Sequence, residues 1–196
     1  MTQAQNQQEC TALIKHLMAQ PWNVFGTLKF INGRTIGRHA AHKVLRRYWN
    51  RIDLTFFGKA AERQRVRVPR WCFAHEGSDA ENFHIHFALL SPIPDTEHAC
   101  SILNAVWAQH HPQTAPLAKN WITPVQDRTA VALYLTREYW RLGSETLLKE
   151  ISWDQTTEDT MAQYHHAQQA QRITRAASPL WLRQAQQALE AQQATP

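Results

Sequence analysis

The segment Phe83-His84-Ile85-His86-Phe87 constrains this chain more than any other stretch. Apolar and imidazole side chains alternate strictly, and Leu89 continues the apolar row. Alternation with a period of two is the mark of a half-buried strand, whose successive side chains point to opposite faces. Such a strand needs neighbours to satisfy its edges and a cover for its apolar face. Both imidazoles then share the other face, close enough for their nitrogens to converge on one ion. Ala88, next on that face, leaves room.

Other elements follow from the same rules. Trp22 to Ile31 predicts a strand with Trp22, Val24, Leu28 and Phe30 on one side and Asn23, Thr27 and Lys29 on the other. Asn32-Gly33 ends it. Residues 38–57 place Val44, Leu45, Tyr48, Trp49 and Ile52 at helical spacing among Lys43, Arg46, Arg47 and Arg51, with Gly58 as the stop. Residues 59–70 read as a loop or edge hairpin. Trp71 to His75 is a strand, Gly77 to Asn82 a turn, 95–110 a helix, and Asn120 to Thr123 a short strand. A long helix is expected after it, capped by Thr123, with Pro124 first, Gln126 completing a capping box and Gly143 ending it. Tyr134 then lies mid-helix.

Residues 1–8 read as a polar tail and 9–19 as a short helix, together an N-terminal extension of residues 1–20. The main domain spans 21–153. The Gln- and Ala-rich stretch 154–196 is a helical C-terminal extension. The β-α-β-β-α-β-α order predicts an α+β, ferredoxin-like fold: a mainly antiparallel sheet with helices packed on it.

Charge narrows the class of partner. The chain of 196 residues carries a net charge of +5. From Arg34 to Arg70 there are eleven Lys or Arg against Asp53 and Glu62, a surplus of nine that points to a polyanion. Lys29, Arg34, Arg38, Lys43, Arg46 and Arg47 are the candidates to hold a nucleic-acid backbone, and Tyr48, Trp49 and Trp71 candidates either to stack bases or to pack the core. Three widely spaced cysteines form no CxxC pair, which excludes a disulfide framework or thiolate zinc site and predicts a reducing, cytoplasmic setting. No apolar run reaches ~18 residues, so no membrane helix is expected.

A metal needs ligands beyond His84 and His86. Glu76 stands before the Gly77 turn, and pairing through that turn would bring its carboxylate near His84, with Glu81 as an alternative. His75 would point to the opposite face. Two imidazoles and a carboxylate suit Mg²⁺ or Mn²⁺, and Zn²⁺ less. Tyr134, Arg137 and Glu138 share a helix face. A phenol, with its ordinary pKa near ~10, is a poor nucleophile until nearby cations favour the phenolate.

Three segments in this order resemble one family. Phe25 to Phe30 (FGTLKF) is similar to the first strand motif of HUH endonucleases, His84-Ile85-His86 to their His-hydrophobe-His motif, and Tyr134-Leu-Thr-Arg137 to the Y-x-x-K motif of single-tyrosine rolling-circle Rep proteins. Glu76-Gly77 resembles the circovirus-type layout, in which a glutamate there is the third ligand. The resemblance covers residues 22–143. It implies metal on Glu76, His84 and His86, attack by Tyr134 on single-stranded or hairpin origin DNA, a 5′-phosphotyrosine intermediate, and initiation of rolling-circle replication of a plasmid, phage or related mobile element. Arg137 departs from the family's lysine. It keeps the charge but shuttles no proton. Tyr139 stands five residues on, about 140° round a helix from Tyr134, whereas two-tyrosine relatives space theirs by four. No G-x-x-x-x-G-K-[ST] occurs, so a host helicase is expected to unwind the duplex. The rival expectations are a single-tyrosine transposase, a relaxase, which would carry three clustered histidines, and a non-catalytic DNA-binding regulator.

Overall fold

A computed structural model describes residues 3–33, 36–63, 65–75, 83–115 and 120–153. The 154–196 extension predicted from sequence lies outside them. The order is α1 (Gln3–Ala19), β1 (Val24–Lys29), α2 (Arg38–Phe57), α3 (Lys59–Arg63), β2 (Arg70–His75), β3 (His84–Leu89), α4 (Thr96–His110), β4 (Trp121–Pro124), α5 (Arg128–Leu135) and α6 (Tyr139–Leu142). The four strands form one sheet in the order β2-β3-β1-β4, every pair antiparallel. The fold is thus α+β and compatible with the ferredoxin-like arrangement expected from sequence.

The sheet is covered on both faces. Val24, Leu28, Cys72, Ala74, Ile85, Phe87 and Leu89 pack against α2 and α4 through Val44, Leu45, Tyr48, Trp49, Ile52, Leu103, Val106 and Trp107. Each large side chain fully buried there contributes about 1.5–3 kcal/mol. Helix α2 has the predicted bounds, and Gly58 ends it at φ 54°, a left-handed conformation that favours glycine. Gly26 sits under the Phe87 ring, where a Cβ would come within 2.5 Å of it, so only glycine lets the two strands keep that contact.

Helices α1, α5 and α6 cover the other face through Cys10, Leu17, Ala132, Leu135 and Tyr139, which meet Trp22, Phe25, Phe73 and Ala88. The N-terminal helix therefore begins at Gln3, earlier than the polar composition predicted. Its inward residues are few but fully used. Residues 59–63 are a helical turn rather than part of a loop or hairpin. No helix among the described residues is long and apolar enough to cross a membrane.

Strand β2 is held from its outer side. Arg70 exchanges backbone hydrogen bonds with Trp153, and Leu148 N–H donates to the Cys72 carbonyl. Residues 147–153 thereby cap an edge that would otherwise be open. Asp53, fully buried on α2, pairs with Arg70 at 2.7 and 3.1 Å and accepts the Val68 N–H at 2.9 Å. Arg70, one of the eleven basic residues counted from sequence, is therefore a buried, neutralised group. Removing one partner of such a pair leaves an uncompensated buried charge. Asp53→Ala is expected to cost about 3–5 kcal/mol in urea denaturation, against less than ~1 kcal/mol for the exposed pair of Arg38 with Glu145.

Candidate metal and tyrosine site

Strand register builds the site. Reading across the sheet, His75 pairs with His84 and His84 with Lys29. Two residues along, Phe73, His86, Thr27 and Trp121 form a second row, one residue from each strand. Both rows face α5. The three histidines are buried, and one ring nitrogen from each lies within 4.8 Å of the others.

This corrects the placement of His75. Sequence reasoning paired β2 and β3 so that Glu76 shared a face with His84, leaving His75 behind. The actual register sets His75 opposite His84, and directly paired residues share a face. A one-residue change of register swaps every side chain between faces. Glu76 and Glu81 lie outside the described residues, as does Arg34.

Helix α5 starts later and ends sooner than predicted. Trp121–Pro124 is strand, so Thr123 caps nothing. Asp127 is the cap, accepting from the N–H groups of Thr129 and Ala130 at 2.8 and 3.2 Å. The helix breaks after Leu135 for a tertiary reason. In a continuing helix the Leu135 carbonyl would accept the Tyr139 N–H. Here His75 Nε2 donates to it at 3.0 Å, and Tyr139 N–H turns to the Thr136 carbonyl at 2.8 Å. The Thr136 hydroxyl bonds back to the Ala132 carbonyl at 2.8 Å. Gly143 does end the final turn, at φ 67°.

The break presents Tyr134 at the end of α5, partly exposed. Its ring stands edge-on to His86 at 4.7 Å and to Phe25 at 5.7 Å. The Arg137 guanidinium lies over it at 4.7 Å. Tyr139, by contrast, is buried among the second-core residues, and its hydroxyl meets Glu9 at 3.2 Å.

Protons and lone pairs can be assigned by partner. The Leu135 carbonyl only accepts, so His75 Nε2 carries its proton and Nδ1 its lone pair. That lone pair accepts Arg137 Nε–H at 3.1 Å. Burial lowers His75 to about 4, and burial pushes His86 down further, so both are neutral at pH 7. The Thr27 hydroxyl oxygen, 2.8 Å from His86 Nδ1, can accept a hydrogen bond from Nδ1–H, the tautomer that leaves the Nε2 lone pair facing His84. The Nε2 atoms of His84 and His86 stand 3.0 Å apart. Two imidazole nitrogens on one ion at ~2.1 Å, subtending roughly 90°, have that separation. The residues therefore fit a metal ion. His75 would offer its Nδ1 lone pair as a third ligand if Arg137 released it. Glu138, 3.6 Å from the same Nδ1, is the nearest carboxylate.

The other sequence candidates separate into two groups. Lys29 stands in the His84 row and lies at the site. Arg38, Lys43, Arg46 and Arg47 are on α2, which packs on the opposite face of the sheet. Arg38 pairs with Glu145, and Arg46 with Glu150 at 2.8 Å. Tyr48 and Trp49 are core residues, and Trp71 packs against His16. Sequence reasoning missed His75, Phe25 and Trp121 as site residues. The alternation of β1 and β2 carried the signal for two of them, but not the register that decides it. No family model, curated protein or solved structure matches the chain.

Two substitutions test the lone-pair assignment by Mn²⁺ titration calorimetry. Thr27→Val, which removes the group orienting His86, should weaken metal binding by about 10–100-fold. Arg137→Ala should tighten it by about three- to tenfold, the scale of a hydrogen bond worth ~1 kcal/mol net. Unchanged affinity in Arg137→Ala would mean that His75 is not a ligand.

Proposed function

We propose that this protein is a metal-dependent endonuclease and strand transferase acting on single-stranded DNA through a phosphotyrosine at Tyr134. The observation that carries this reading is the juxtaposition of a partly exposed tyrosine with three buried, converging histidines and an arginine over its ring. A tyrosine kept only for packing would be buried, as Tyr139 is.

The chemistry follows from what each group can do. A divalent ion on His75, His84 and His86 would supply Lewis-acid polarisation of a phosphate oxygen. The three imidazoles among the described residues suit Zn²⁺, and an added carboxylate such as that of Glu76 would suit Mn²⁺ or Mg²⁺. Lys29 and Arg137 offset phosphate charge and hold the strand. Tyr134 Oη gives its proton to solvent and bonds to phosphorus. The phosphorus–O3′ bond breaks, and the departing oxygen takes a proton from water as a free 3′-hydroxyl. The 5′-phosphotyrosine keeps the energy of the broken bond, so a 3′-hydroxyl can reverse the step and rejoin the strand. Nicking with rejoining of this kind serves initiation of rolling-circle replication on a mobile element, with a host helicase as partner.

One observation favours a second reading. With His75 the cluster has three histidines, the number expected of a relaxase, and the same transesterification would then serve strand transfer during mobilisation.

The test is adduct formation on a denaturing gel, with Mn²⁺ and labelled single-stranded oligonucleotides of random sequence. The wild-type chain should give a metal-dependent adduct that Tyr134→Phe abolishes, His86→Ala nearly abolishes and Tyr139→Phe leaves intact. Adduct in Tyr134→Phe but not in Tyr139→Phe would move the nucleophile. No adduct from any sequence with either Mn²⁺ or Mg²⁺ would favour a DNA-binding regulator.

A further inference from the structure

Trp121 has the most exposed large hydrophobic side chain among the described residues, at 60%. An indole left in water forgoes a large burial gain unless something covers it in use. Its place in the sheet shows where that cover would lie. Trp121 pairs with Thr27, and Thr27 with His86, so Trp121 is two strands from His86 in the same row and on the same face. At ~4.8 Å between neighbouring strands, its backbone stands roughly 10 Å from that of His86. The ring is also braced. It meets Phe25 edge-on at 5.9 Å, and Phe25 in turn meets Tyr134 edge-on at 5.7 Å. Phe25 is buried, so it fixes the indole from one side and leaves the rest open. Trp121, Phe25 and Tyr134 thus form one aromatic row beside the histidines.

We propose that Trp121 is a stacking platform for an unpaired base next to the phosphate held at Tyr134. This deepens the function proposed above and rests on it. A paired base already has its neighbours, whereas an unpaired one exposes a π-face that an open indole satisfies whatever its sequence. Lys29 and Arg137 supply cations on the same face for the backbone between base and phosphate. A second protein surface would cover the indole without needing either cation or a neighbouring nucleophile.

Binding can be read apart from cleavage. The full chain, in EDTA and at one fixed salt concentration, is titrated into a fluorescent oligodeoxythymidine of about twenty nucleotides and followed by anisotropy. Trp121→Ala should weaken binding by about 5- to 150-fold, while Trp121→Phe stays within about threefold of wild type. An oligonucleotide of the same length with abasic residues should bind the wild-type chain more weakly than oligodeoxythymidine, and Trp121→Ala should not distinguish the two.

Equal binding by Trp121→Ala and wild type overturns the stacking role and leaves adduct formation to judge the enzyme. No binding by the wild-type chain also overturns it. A wild-type dimer in sedimentation that Trp121→Ala converts to monomer, without loss of DNA binding, overturns it in favour of contact with a second copy.

Discussion

The pairing of β2 with β3 is the constraint on which this site depends. His75 stands opposite His84, and from that single choice of register three imidazoles fall on one face within ligand distance. Shifted by one residue, β2 would turn Cys72 and Ala74 toward α5 and bury His75 against α2 and α4. Such a shift is resisted from several directions. Arg70 is clamped by Asp53 from below and by Trp153 and Ile151 at the edge, and the Leu148 N–H bonds to the Cys72 carbonyl. Stability on one side of the sheet thus holds the geometry of the other.

The same register shapes the tyrosine. His75 spends its Nε2 proton on the Leu135 carbonyl, and that bond ends α5 at the residue after Tyr134. The histidine fixes where the helix stops and keeps its own Nδ1 lone pair toward the site. Arg137, just past the break, reaches back to that lone pair and over the Tyr134 ring. Candidate metal ligand, helix terminus and cation are linked through one imidazole. Arginine fits this position as lysine would not, since its Nε–H donates sideways to His75 while the guanidinium lies over the phenol.

Much of the fold was legible because its signals are periodic. The alternation from Phe83 to Leu89 defined β3 and paired His84 with His86, and the spacing of apolar residues in 38–57 defined α2 with its Gly58 stop. What stayed hidden is tertiary. No local pattern states that a histidine from another strand will take the Leu135 carbonyl, so the helix expected to run through Tyr134 to Gly143 breaks instead. Registers across a turn are likewise not written in either strand, and His75 was assigned to the wrong face. Charge counting does not say where each cation lies, for a related reason. Arg70 is buried with Asp53, and the basic face of α2 lies across the sheet from Tyr134, with only Lys29 of the basic candidates described standing at the site.

The claim that His75, His84 and His86 hold one metal beside Tyr134 is tested most directly by anomalous diffraction from Mn²⁺-soaked crystals. One peak should appear within bonding distance of Nε2 of His84 and His86 and Nδ1 of His75, with Arg137 turned away from His75. No peak at the cluster at saturating metal, or a peak elsewhere with Arg137 Nε still on His75, would contradict it.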